Sequence, residues 1–561
     1  MKVNPLRPFI PHPRTGKRGR QIAASLLLAL STPALALDGV WQSTSGSGNW
    51  NDPAQWEGDI AGGTGGTATF NGSLSSILQI TLTEPVTVGH LAVTNWSGSR
   101  WEIVNSGVLT LDAGLAKPTI THPTLDSLRI NTVIAGTNGF EKLGTGRLYL
   151  GGNNTFTGGV TITRGVLWTA NAAALNSTAP NAVTLNGGSW LLGGNNATYN
   201  NNVVLADEEN VISNTSAAGT SITLGGIISQ TAATSTLAFR TNGSAIGYIL
   251  KGDNTYTGNT EIGSAGGSAS VVLRIEHDRA LGTGTAAVGF ATGSKTHDED
   301  ALEMAGGITV ADKALTLRGR GRGEGGSLRS VSGDNTWAGT IDTGEAANAR
   351  IGVDAGTLSI TGQITGTSAN GLTKVGEGTL LLAAENSYAN GTAILGGTLH
   401  ATHAGALAGG DLVVGDGTGT DTLRVGADTV LTLADLTLQS SAHLAFDLTA
   451  APEGTMLDIL GDQLGSGSYT IDIFDGGGFI PGNHTLLTVE GAFNASGFNL
   501  GITPEGYEGL LSLHWADGTL SLQAIPEPGT LALFGLAMGA GAVALRRSRR
   551  RPVLEGRLLE G

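Results

Sequence analysis

The sequence predicts an all-β chain built as a right-handed parallel β-helix, with a β-rich C-terminal cap and one apolar C-terminal helix. Three observations predict it. Glycine makes up 89 of 561 residues, while aromatic residues are 5% and charged residues 14%, against roughly 7% glycine and 25% charge in an ordinary globular chain. Two segments, 138–167 and 370–399, match without gaps at 12 of 30 positions at a constant offset of 232. Within both segments leucines alternate with other residues, which is the period of a strand with one buried face. Apolar residues at 40% and only 16 prolines exclude bulk disorder and collagen.

Residues 1–36 read as a secretory signal. A basic stretch carrying Lys2, Arg7, Arg14, Lys17, Arg18 and Arg20 precedes the apolar run 22–30, and small residues at Ala34 and Ala36 mark cleavage after Ala36. Export would follow through the Sec machinery. The absence of cysteine excludes disulfides, thiolate catalysis and cysteine-bound metals.

Residues 37–110 read as an N-terminal β cap. Trp41, Trp50, Trp56, Trp96 and Trp101 lie among Gly, Ser and Asn. Terminal coils of a solenoid must close its core, so these rings are expected to cover the open end. The functional counterpart is a sugar-stacking platform, with Trp50 and Trp56 as the candidate contacts.

Residues 111–430 read as the repeat array. Leu148 and Leu150 alternate inward, as do Leu380 and Leu382. Gly151 to Asn154 should form a corner in which the asparagine bonds its own turn. A second strand near 160–163 follows, then a turn at Arg164-Gly165 and a third strand near 166–168. A further copy runs from Tyr248 to Ile262, and a fragment covers 335–339. Leu148, Leu150, Ile162, Leu167, Leu380, Leu382, Ile394 and Leu399 are the predicted inward positions. About 320 residues at about 20 per coil give some 16 coils and about 75 Å of axis. The core Gly144-x-Gly146-x-Leu148-x-Leu150 followed by Asn154-Thr155-Phe156-x-Gly158-Gly159-x-Thr161, with a looser copy at 376–392, resembles the autotransporter-associated β-strand repeat of bacterial surface passengers. Nothing C-terminal to it reads as an outer-membrane barrel.

Residues 431–525 carry longer alternating runs, such as 444–448 and 469–473, and read as a C-terminal β cap. Beyond them lie Pro526-Glu527-Pro528, an apolar helix over 531–545, the basic cluster Arg546, Arg547, Arg549, Arg550 and Arg551, and a tail over 552–561. Fifteen helical residues span about 22 Å against a hydrocarbon core of roughly 30 Å. The arginines should stay cytoplasmic and put the body outside. The two prolines keep the preceding segment extended. The order of motif, helix and arginines over 526–551 resembles the PEP-CTERM sorting signal. That resemblance implies recognition by an exosortase in a Gram-negative bacterium that makes exopolysaccharide. It also implies a transient inner-membrane stage through the helix before release to the cell surface or the extracellular space.

Charge and local motifs bound the chemistry. Apart from its basic ends, the stretch 37–525 holds 19 basic and 43 acidic residues, near −24, which disfavours nucleic acid as a partner. No cofactor is expected. Calcium is the one ion with candidate groups, at 297–300 and 417–423. The first reads better as a solvated loop, and the second lacks the tandem copies a calcium-binding array needs. The Arg-Gly run 318–323 reads as an exposed turn in an acidic exported chain. No catalytic triad, zinc signature or tight carboxylate pair emerges, so no enzymatic activity is expected. The expected role is a structural or adhesive surface protein associated with exopolysaccharide or biofilm. The alternative is a β-helix lyase or hydrolase of acidic polysaccharide, whose side chains would converge from separate coils. A cluster of three or more carboxylates or basic groups on one face would favour that alternative.

Overall fold

The computed structural model describes residues 35–524, apart from 124–127, 242–245, 264–268, 290–297, 345–348, 368–370, 450–453, 466, 481 and 495–496. Ala34, the sorting motif, the apolar helix and the arginine cluster lie outside the described residues. Within them the chain is all-β, with 54 strands and three short 3-10 turns. It winds as a solenoid of the right-handed type, the sense that β-crossovers take.

The chain visits three faces in turn. Thr67–Leu74 lies on face I, Leu78–Thr81 on face II and Val86–Val88 on face III, and His90–Gly98 returns to face I. Face I consists of a ten-stranded sheet continued, after an interval, by a nine-stranded one. Face II is a 15-stranded sheet continued by a five-stranded one, and face III a three-stranded sheet continued by twelve strands. Nearly every pairing is parallel and in register, as in Leu128↔Leu148, Leu148↔Leu167 and Leu167↔Trp190. All eight predicted inward residues are fully buried in one continuous core.

Two expectations shift. Parallel stacking begins before residue 110 and continues past 430, so most of both expected caps is further solenoid. Coil length also exceeds the 20 residues assumed. Leu148 sits beside Leu167, but Leu457 sits beside Leu487, because the corners hold insertions of different size. The 15 strands of face II therefore spread from Ser47–Asn49 to Ser387–Tyr388. True end structures are shorter. At the N-terminus Leu37–Trp41 pairs antiparallel with Trp56–Gly62. At the C-terminus Leu511–Ala516 and Thr519–Ala524 form an antiparallel hairpin, and the second strand also pairs antiparallel with Asn483–Val489.

Inside the repeat, buried polar groups join the coils. Asn154 accepts from the Ile134 N–H (2.8 Å) one coil back and donates to the Ala174 carbonyl (2.7 Å) one coil on. Asn254 repeats this with Ile228 and Ala280, and Asn386 with Ile364 and Ala406. The asparagine thus bonds its neighbouring coils rather than its own turn. A corner carbonyl or amide inside a β-helix has no partner in its own coil, and a buried one without a partner is costly. Lys142 fills a similar role. Its Nζ donates to the carbonyls of Leu143, Gly144 and Arg164 at 3.1, 2.7 and 3.0 Å, and Lys374 does the same to Val375, Gly376 and Gly396.

Candidate functional site

Alternation that buries Leu128, Ile130, Leu148, Leu150 and Leu167 turns Arg129, Arg147, Tyr149 and Trp168 outward on face II. Parallel register then stacks Arg129 beside Tyr149 and Tyr149 beside Trp168. The two rings meet edge to face at 4.8 Å and 83°, the arrangement that the ring quadrupoles favour. The Arg129 guanidinium lies 4.9 Å from the Tyr149 ring centre and 5.5 Å from that of Trp168, and Arg147 lies 5.6 Å from Trp168. These are cation–π distances. All four side chains are half-buried, which leaves part of each ring and guanidinium open to a ligand.

The stripe has defined ends. One coil before Arg129, Glu102 pairs with Arg100 at 2.7 Å. Beyond Trp168 the register reaches Leu191, which is buried, and the face then passes a groove lined by Asp207, Glu208 and Glu209. Arg129 and Arg147 thus form a small cationic, aromatic patch on a chain that is otherwise acidic. Sequence reasoning missed these residues, although the signal was present: the residue between Leu148 and Leu150, and the one after Leu167, must face out.

The residues singled out from sequence fall elsewhere. Trp50 is fully buried and Trp56 is 6% exposed. The Trp50 indole N–H donates to the Ala61 carbonyl (2.9 Å) and that of Trp56 to the Trp50 carbonyl (2.7 Å). Both rings pack on each other and on Phe70, and Trp56 also packs on Trp41. Neither ring presents a face to a sugar, because the N-terminal coil needs them to close its core. Ala36 is exposed at the start of the described chain.

The charged clusters serve the backbone. Asp300 is buried, and its carboxylate accepts from the Val271 N–H at 2.7 Å. In the 417–423 turn, Asp416 is occupied by Thr418, and Asp421 lies buried in a strand, where burial pushes its carboxyl up. Among the described residues no group of three His, Asp or Glu side chains suits a metal. In the Arg-Gly turn, Arg320 pairs with Glu324 at 2.7 Å and Asp298 at 3.5 Å, and Glu324 also reaches Arg350 at 3.1 Å. Arg320 is thereby balanced within the fold. Among the described residues no helix is long and apolar enough to cross a membrane.

Comparison with known proteins adds two family matches and one relative. Residues 140–168, 248–267 and 372–401 match the family described as Passenger-associated-transport-repeat. Residues 524–550 match the PEP-CTERM protein-sorting motif. Over 190 residues, 31% of this chain, the sequence is 34% identical to the Adhesin BmaC autotransporter of Brucella suis biovar 1 (strain 1330). That alignment covers only 5% of the adhesin's own length. The first repeat match contains Lys142, Arg147, Tyr149, Asn154 and Trp168, so the stripe apart from Arg129 is displayed on a repeat.

Proposed function

We propose that this chain is an exported, exosortase-sorted surface protein whose solenoid acts without catalysis, as an adhesive or structural element of an acidic exopolysaccharide layer. The sorting-motif match supports the export route, and the repeat match and the adhesin relative support a passenger-like role. The observation that carries the ligand class is the stripe of Arg129, Tyr149, Trp168 and Arg147. Guanidinium groups suit carboxylates, and ring faces suit the C–H surfaces of sugars. On a body near −24, a polyanion would be repelled everywhere else.

The test is titration of the purified protein with a polyuronate, followed by tryptophan fluorescence and calorimetry. Trp168→Ala and Arg129→Ala should each weaken binding at least tenfold, and added salt should weaken the wild type because the charges are exposed to screening. Equal affinity in wild type and both variants would remove the stripe as the contact.

An enzymatic reading has one observation in its favour. His400, Arg424 and His443 converge on face I near the C-terminus, with Asp447 and Asp472 among them. Each is already paired, which suits holding more than proton transfer. Incubation with the same polyuronate decides between the two, since new reducing ends or unsaturated termini would establish cleavage.

A further inference from the structure

Face I carries a second feature that the stripe does not explain. A groove of about 480 Å³ opens over the C-terminal coils, and its lining includes Thr422, Arg424, His443, Asp472, Phe474 and Ile502. Its polar side chains are fixed before any ligand arrives. The Asp447 carboxylate accepts from Arg424 Nη2 at 2.8 Å and lies 3.2 Å from His400 Nε2, and Asp472 holds His443 Nδ1 at 2.6 Å. The Arg424 guanidinium also sits 4.5 Å from the centre of the Phe474 ring. Asp447 and Asp472 are 7% and 4% exposed, so Arg424, His443 and Asp472 in the lining are held by a buried network and are not mobile surface charges.

The groove runs over a hydroxyl row that extends beyond its lining to Thr357. Parallel register places Thr357, Thr379, Thr398, Thr422, His443 and Thr470 in one outward column along the solenoid axis. Neighbouring members are about 4.8 Å apart, close to the length of one hexose ring in an extended chain. Charge decides the ligand class. Arg424 is already matched by Asp447, and Asp472, the one carboxylate in the lining, is held by His443, so the site offers a polyanion no net attraction. Sugar hydroxyls both donate and accept, and they match threonines, carboxylates and an arginine together. Phe474 and Ile502 supply the apolar patch that a sugar ring covers. Ion pairs alone do not make such a site. On face III, Arg274, Glu303, Arg329 and Asp354 form a comparable charge ladder that lines neither this groove nor the one beside Asp207, Glu208 and Glu209.

We propose that this groove, with the threonine column leading into it, binds an uncharged, extended polysaccharide lying along the solenoid axis. It is a second site, distinct from the cationic stripe on face II. The experiment titrates the purified protein by calorimetry with three neutral hexasaccharides (a glucan, a mannan and a galactan) and with a hexauronate. At least one neutral hexamer should bind, and more tightly than its trimer. Phe474→Ala and Asp472→Asn should each weaken it tenfold or more, in variants whose circular dichroism and melting match wild type, while Trp168→Ala leaves it unchanged. A more conservative variant, Thr357→Val, lies in the column but outside the groove lining and should weaken the hexamer but not the trimer. The proposal is overturned if all three neutral hexamers fail to bind, if Trp168→Ala abolishes their binding, or if the hexauronate is preferred in the groove. Loss of polyuronate binding in Trp168→Ala alone would bear on the stripe and leave the groove result intact.

Discussion

At the residue scale, the solenoid depends on polar side chains placed where a β-helix corner leaves backbone groups without partners. Asn154, Asn254 and Asn386 each bridge three successive coils through one amide. Asn154→Ala would leave the Ile134 N–H and the Ala174 carbonyl buried and unbonded. At about 1–3 kcal/mol for each such group, the expected loss is about 2–6 kcal/mol in that region. Hydrogen exchange resolved by segment should show it near residues 134 and 174, while the exposed Asn138→Ala should show almost none. The buried lysines predict a pH effect. Burial pushes Lys142, Lys313 and Lys374 down to about 8, against about 10.4 in the unfolded chain. Between those values the unfolded state binds more protons, so stability rises with pH from about 8 to about 10.4 and is lower below that window. Melting temperature followed across that range should increase, and Lys374→Met should flatten the slope.

At the scale of the element, tight corners between short strands set the demands. Gly144 and its repeat partner Gly376 have φ of 76° and 81°. A Cβ at Gly144 would stand 2.3 Å from the His122 carbonyl of the preceding coil, and one at Gly376 2.4 Å from the Val353 carbonyl. Left-handed backbone alone costs an L-residue about 1–2 kcal/mol, and the clash adds to it. Gly144→Ala should therefore lower the melting temperature clearly more than Gly306→Ala, where φ is 93° but nothing lies within 4 Å. An equal drop in the two variants would mean that the coil spacing yields readily. Within the corners one substitution pattern is instructive. Tyr256 and Tyr388 bond Thr260 and Thr392 four residues on, each at 2.7 Å, whereas the first repeat has Phe156 and Val160 at the same places. Hydroxyl donor and acceptor are gained or lost together, because either alone would be buried without a partner.

At the scale of the whole molecule, the ends are what a solenoid must manage, since an open strand edge invites another chain. Trp41, Trp50 and Trp56 pack over the first coils, and Phe493 stacks on Trp515 at 3.5 Å over the last. Beyond this closed body lies the segment that directs sorting. We expect the mature chain to begin near Leu37 and to lose everything after Pro526-Glu527-Pro528. Changing these three residues to alanine should leave the protein membrane-associated with Arg546 to Arg551 intact. Intact-mass measurement of surface material checks this, and wild-type protein that retains those arginines would mark the segment as a plain anchor.

Much of the architecture was legible without coordinates. A period-2 pattern specifies which side chain faces in, and a repeat at constant offset specifies that coils stack, so Leu148, Leu150, Ile162, Leu167 and their four counterparts were placed correctly. Alternation equally implied that Tyr149 and Trp168 face out, and the repeats implied that Phe156 and Val160 vary together. Other features were decided only by tertiary structure. Trp50 and Trp56 are buried because of the coil they close, and composition cannot distinguish a closed end from an open sugar platform. Asn154 reaches across coils rather than within one, since its partners lie 20 residues away in each direction. Arg424, His443, Asp447 and Asp472 meet because each turn of the chain, 21 and then 27 residues here, advances only about 4.8 Å along the axis. Local pattern determines the inside of a solenoid, but its outer surface is assembled by stacking, which joins residues that sequence distance keeps apart.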